Sequence, residues 1–212
     1  TAFIFSFRDW GDDVFDAVLG LIHLLIVFGV AMFSFIARLS AQKIYALSEG
    51  YKAEFRLWWV GLVVALIIAF ISFGRLPLVL IGGVVLGFMV RQRLGEFRYG
   101  FSYHDNAVVA FIGVLANILL ALVFGVGLYF FPDSYLFLKG LWLNLSMAFG
   151  SLIPLPQLDG FNILFGSKTL YVFGWILTLL STVLLITQTK IGLIVMVVSF
   201  AIAIIVNLLI SP

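Results

Sequence analysis

The sequence predicts an all-α polytopic membrane protein of about six transmembrane helices, with a short membrane-associated β-strand or hairpin before the third of them. Three observations carry this. Of 212 residues, 64% are hydrophobic and only 10% are charged, with a mean hydropathy of +1.23, far outside the range of water-soluble domains. The apolar residues come in runs near the ~20 residues that cross a bilayer, and the length divides into roughly six of them with short loops. A period of two replaces the helical pattern over 97–103. The chain, 1–212, therefore reads as a single transmembrane domain without room for a soluble one. The net charge of +2 is too small and too scattered for nucleic-acid binding, and the lack of cysteine excludes disulfides and thiolate metal sites.

Residues 1–11 mix Phe3, Phe5, Phe7 and Trp10 with Arg8 and Asp9, a composition suited to the headgroup region. Asp12, Asp13 and Asp16 then fall in the first turns of a helix expected over 14–47, where the helix N-terminal charge favours carboxylates. This helix is longer than a crossing, so Arg38, Gln42 and Lys43 should reach the far interface. His23 reads as a core histidine bonded to a neighbouring helix. Residues 51–59 read as an interfacial connector and 57–73 as the second helix.

The stretch 78–90 is apolar, with Gly83 and Gly87 at the spacing that lets helices approach closely. As a helix its 13 residues would cover only about 20 Å, so a short tilted helix and a membrane-dipping hairpin both remain open. Phe97, Tyr99, Phe101 and Tyr103 alternate with Arg98, Gly100 and Ser102, the pattern of a half-buried strand at the membrane surface. That stretch is either an aromatic belt or an edge able to receive an extended peptide. Further helices are expected over 106–131, 135–152, 169–186 and 191–210, with Pro132-Asp133 closing the first of them. If 76–90 crosses, Arg38, Lys43, Lys52, Arg56, Arg91, Arg93, Arg98 and Lys168 share one face, against Arg8, Arg75, Lys139 and Lys190 on the other. That bias predicts a multi-pass protein of the cell membrane with Arg38 and Asp159 on the cytoplasmic side.

The stretch Ser151-Leu-Ile-Pro-Leu-Pro-Gln-Leu-Asp159-Gly160 interrupts membrane-grade sequence with two prolines and a carboxylate. An ionisable group at the edge of such a bundle is a functional candidate. In spacing, this stretch resembles the Asn-Leu-Leu-Pro…Asp-Gly signature of the site-2 protease family of intramembrane zinc metalloproteases, compact archaeal type, with Ser151 at the Asn position, followed by Pro154, Asp159 and Gly160. Gly113-Val-Leu-Ala-Asn117 is similar to the family's Gly-Pro-x-x-Asn, with Val114 in place of proline, and residues 51–58 are similar to the segment after its catalytic helix. The resemblance covers a core of roughly 14–171, with two further helices over 169–210.

The resemblance implies that Asp159 stands at the third zinc-ligand position and that the H-E-x-x-H motif falls on Arg38-Leu-Ser-Ala-Gln42. That motif works because two imidazoles four residues apart share a helical face and the glutamate takes a proton from metal-bound water. Arg38 is a permanent cation with no lone pair, Leu39 cannot act as a base, and Gln42 offers one weak neutral oxygen. The expectation is therefore a chain with no catalytic residues, no metal and no cofactor. Arg38 would pair with Asp159 in place of zinc, and Gln42 would add a hydrogen bond. A competing reading keeps an active zinc protease with ligands drawn from His104, Asp105 and Asp159. A haem between His23 and His104 is disfavoured because the first lies within the first half of a span and the second near an interface. The expected partners are the lipid bilayer and other membrane proteins or transmembrane segments, bound by a scaffold or regulatory subunit or by a purely structural subunit of a larger complex.

Overall fold

Asp16 opens the longest helix. Its Oδ1 accepts hydrogen bonds from Val18 N (2.9 Å) and Leu19 N (3.1 Å), satisfying two of the otherwise unpaired donors of a helix start. The computed structural model describes residues 1–7, 9–10, 16–88 and 102–199; in it a short helix α1 (Ala2–Phe5) precedes α2 (Ala17–Ser48). Asp16 is thus a cap rather than a first-turn residue, and Asp12 and Asp13 lie outside the described residues. The inward stripe of α2 is Val27, Val30, Ser34, Arg38, Gln42 and Ala46, at helical spacings of three and four. Its lower half is polar and the rest of the helix surface is largely exposed and apolar.

Gly50, at φ +79°, turns the chain out of α2. Beyond this turn the fold departs from the sequence expectation. Residues 51–59 are not a connector, and of the two readings left open for 78–90 the helix does not hold: β1 (Tyr51–Leu57) pairs antiparallel with β2 (Gly82–Phe88), Tyr51 opposite Phe88 and Leu57 opposite Gly82. The cause is a buried sheet face. Ala53, Val84 and Leu86 close over Ala46 and Val109, with Tyr51 and Phe55 packed at the margin, while Lys52, Glu54 and Arg56 face out. Between the strands, α3 (Trp59–Ile71) is about 20 Å long, shorter than expected from sequence and short of a ~30 Å hydrocarbon core. The chain then returns so that Phe88 lies beside Tyr51, at the end of the molecule where α2 finishes.

Phe97, Tyr99 and Phe101, the core of the expected strand, lie outside the described residues. Tyr103 is not a strand residue: it begins α4 (Tyr103–Phe130), which Ser102 caps by accepting from Asp105 N at 3.2 Å. Then follow α5 (Tyr135–Leu152), α6 (Asp159–Gly166), α7 (Lys168–Ile186) and α8 (Lys190–Ser199), with the remainder of the last expected helix outside the described residues. The short α6 has no counterpart in the sequence expectation.

The core is organised on α4, whose Phe111, Val114, Ile118 and Leu122 join Leu145 and Leu152 of α5, Ile163 of α6 and Leu185 of α7. Against about six expected spanning helices, three among the described residues, Ala17–Ser48, Tyr103–Phe130 and Lys168–Ile186, are long and apolar enough to cross a membrane. At the end where α2 starts, the N-terminal segment is tied down: Asp9 Oδ2 accepts from Tyr135 Oη (2.7 Å) and pairs with Lys139 Nζ (2.6 Å), which also donates to Phe5 O (3.0 Å). His23 differs from expectation. It stacks on Tyr135 (centroids 4.1 Å apart) and bonds the backbone carbonyl of Asp9 (3.1 Å), not a neighbouring helix.

Candidate functional site

Three pieces of chain far apart in sequence meet where α2 nears its end. From α2, Arg38 and Gln42 project one turn apart along the inward stripe. From the turn after α5 comes Asp159, the first residue of α6, where a carboxylate also benefits from the helix N-terminal charge. The turn itself is held by Pro154 and Pro156, both exposed, and by Gln157 at φ +71°, an uncommon conformation for a residue with a side chain. The third piece is the outer edge of β2 at Val84.

The contacts are direct. Arg38 Nη2 lies 2.5 Å from Asp159 Oδ2, and Gln42 Nε2 donates to the same oxygen at 3.0 Å. Val84 N donates to Asp159 Oδ1 at 2.9 Å, and Asn162, one turn along α6, donates from Nδ2 to Val84 O at 3.2 Å. A second, longer bond runs from Gln42 Nε2 to Val109 O (3.4 Å). Asp159 and Gln42 are fully buried and Arg38 is 3% exposed, so this charge pair is shielded from water. Each oxygen of the carboxylate is engaged, one by a cation and an amide, the other by the sheet edge.

Two glycines permit the approach. A Cβ on Gly83 would stand 2.7 Å from Asp159 Oδ1, and one on Gly113 would stand 2.8 Å from Gln42 Cδ. Gly83→Ala therefore has to displace the carboxylate or the strand. It should destabilise the protein by about 1–3 kcal/mol, read as a lower thermal midpoint, while Gly87→Ala, whose nearest neighbour is 3.9 Å away, should be far milder.

Of the remaining residues that carry the resemblance, Ser151, Asn117 and Gly160 are buried. Ser151 is buried and its hydroxyl returns to Met147 O within α5 (2.5 Å). Gly160 lies against the carbonyl end of α5, where any Cβ would collide with Leu152. Leu39 faces the Ala46, Ala53 and Val84 cluster rather than Asp159. Asn117 is fully buried on the same face of α4 as Gly113.

The residues of the competing metal set are not brought together. His104 is exposed, and Asp105 accepts a bond from Tyr51 Oη (2.7 Å), which holds the Tyr51 hydroxyl protonated above its ordinary range, while Asp159 is enclosed with Arg38. Among the described residues no group of three His, Cys, Asp or Glu could hold a metal ion. A zinc ion does not fit the Arg38–Asp159 site: it would face one carboxylate already in use, a neutral amide and a fixed positive charge. Sequence reasoning missed Val84 N–H and Asn162. Asn162 was readable as the residue one turn after Asp159, but nothing in the chain announced which strand edge would lie opposite.

No family model matches the chain, and no solved structure matches it. A protein of Methanocaldococcus jannaschii named "Putative zinc metalloprotease" is 28% identical over 167 residues, covering 77% of this chain and 76% of that protein. A likeness of that size supports at most a distant, site-2 protease-like relationship.

Proposed function

We propose that this chain is a multi-pass membrane protein of site-2 protease-like design that carries no catalytic metal and works as a membrane-embedded binding, scaffold or regulatory subunit for other membrane proteins. One observation carries the reading: in a buried site the Asp159 carboxylate takes Arg38 and Gln42 on one oxygen and the Val84 amide on the other, so that a fixed positive charge occupies the side from which a metal would be held. The site holds three chain segments in register, where a metal site would instead expose a reactive water. Three long apolar helices, together with exposed Leu25, Phe28, Ile67, Phe70 and Ile176, support residence in a bilayer. Among the described residues, Arg38, Lys43, Lys52, Arg56 and Lys168 at one end against Arg75, Lys139 and Lys190 at the other support placing the Arg38–Asp159 end in the cytoplasm, while Arg8, Arg91, Arg93 and Arg98 lie outside the described residues.

The name of the Methanocaldococcus jannaschii protein favours the opposite reading, an active zinc enzyme, and metal analysis separates the two. Protein purified in detergent without chelator and dialysed against zinc should hold well under one zinc per chain, and Asp159→Asn should leave that content unchanged. One zinc per chain, lost in Asp159→Asn, would overturn the non-catalytic reading.

A further inference from the structure

Overlapping the ion pair at Gln42 and running along α2 to Ser34 lies a second set of buried polar side chains. Ser34, Gln42, Asn117 and Asn144 are all fully buried. Asn144 Nδ2 donates to Ser34 Oγ (2.9 Å) and to Gly140 O (2.8 Å), which joins α5 to α2. Gly113 touches Gln42 and Arg38, so Asn117, one turn further along the same face of α4, stands level with the Ser34–Arg38 turn. Gly140 lies against Phe124 and Gly127 against Phe137, so α4 and α5 run antiparallel, with Asn117 within a turn of the level of Asn144. The three helices thus share a polar seam inside an apolar bundle.

Among the described residues, four side-chain atoms of this seam have no hydrogen-bond partner: Asn117 Nδ2, Asn117 Oδ1, Asn144 Oδ1 and Gln42 Oε1. Buried polar atoms on this scale are almost always paired, with ordered water when the protein itself offers nothing. Exchanging the oxygen and nitrogen of Asn117 does not help, because both are unpartnered. One donor and three acceptors match water, which supplies two donors and two acceptors per molecule. A cation would take the three amide oxygens but would have to sit beside the Arg38 guanidinium, which passes the same face of α4 at Gly113. A neutral occupant meets no such repulsion.

We propose that the seam between Ser34, Gln42, Asn117 and Asn144 is an internal hydration site whose ordered water bridges α2, α4 and α5. The site does not depend on whether the chain is catalytic.

The test uses the full chain in detergent micelles or nanodiscs. If the seam is wet, Asn117→Leu expels bridging water and leaves Asn144 and Gln42 unpaired, lowering the thermal midpoint by about 3 °C or more. If the seam is dry, the same substitution removes an unpaired amide and the midpoint stays or rises, which overturns the proposal. Because the variant could fail to fold, the unmodified protein gives an independent reading. The side-chain NH2 resonance of Asn117, whose nitrogen has no protein acceptor, should show magnetisation transfer from water in isotope-labelled protein, and its silence would also overturn the site. Midpoints compared in sodium, potassium and choline chloride should coincide. A cation-specific rise that disappears in Asn117→Leu would replace water with a monovalent ion and overturn the proposal.

Discussion

Replacing Arg38 with Leu is expected to be the most damaging single change in the molecule, costing about 3–5 kcal/mol of stability, because it leaves the Asp159 carboxylate in a buried site without its cation. Asp159 is fully buried and cannot turn to water. Of its partners only Gln42 Nε2 and Val84 N would remain, two neutral donors against a full negative charge. Asp159→Leu is expected to lose a comparable amount by stranding the guanidinium. The double substitution separates pairing from mere size. If the pair acts as a unit, Arg38→Leu with Asp159→Leu should recover much of either single loss, since two apolar side chains of suitable volume avoid the desolvation of two charges. Unfolding of the four proteins in a common detergent reads the cycle. Additive single losses, with no recovery in the double variant, would mean that Arg38 and Asp159 matter for separate reasons.

The elements that present this pair were unevenly legible in the chain. The long helices could be read because their signals are local. The bounds of α5 match those expected, set by Pro132-Asp133 before it and Pro154 after it, and α7 begins within one residue of expectation, capped by Ser167. The pairing of β1 with β2 was not foreseen, for an equally physical reason. Gly82–Phe88 is a short apolar run, and such a run does not declare helix or strand by period alone; the small-residue spacing of Gly83 and Gly87 favoured helix packing. Its true partner carried the clearer sign, since Tyr51, Ala53 and Phe55 alternate with Lys52, Glu54 and Arg56, but the mixture of charge and aromatics there also suits an interfacial loop. The helix α6 is only eight residues long, below the length at which periodicity speaks.

The site was legible only through spacing. Arg38 and Asp159 are 121 residues apart, and no rule of local chemistry pairs them. What pointed to them jointly was the resemblance of two short motifs, together with the need of a carboxylate deprived of a metal for another positive charge. Val84 could not be reached that way, because its contribution is a backbone amide. A backbone donor has no residue type to recognise, and it becomes visible only when the strand edge is seen against Asp159.

The geometry of α2 leads to the second large effect, a gain of metal. Arg38 and Gln42 lie four residues apart, and both reach the same oxygen of Asp159. Arg38→His together with Gln42→His would put two imidazoles on the face of α2 that already meets this carboxylate, giving three ligands of the kinds zinc accepts, at the helical spacing its sites commonly use. Loss of the guanidinium also removes the charge that opposes a divalent ion. The double variant is expected to bind about one zinc per chain where the parent binds essentially none, and zinc should raise its thermal midpoint, because an ion that binds only the folded state stabilises it. Adding Asp159→Asn should abolish both effects. Peptide cleavage would require more. Leu39 faces the Ala46, Ala53 and Val84 cluster, so Leu39→Glu would place the missing base against apolar packing, and the triple variant should be less stable than the double while still binding metal. Metal content and thermal midpoint, measured on the parent, the double variant and its Asp159→Asn derivative, decide the matter. A double variant that stays metal-free while folded would show that α2 and α6 do not present a zinc-competent set of positions, and would remove the main physical support for relating this site to a metalloprotease.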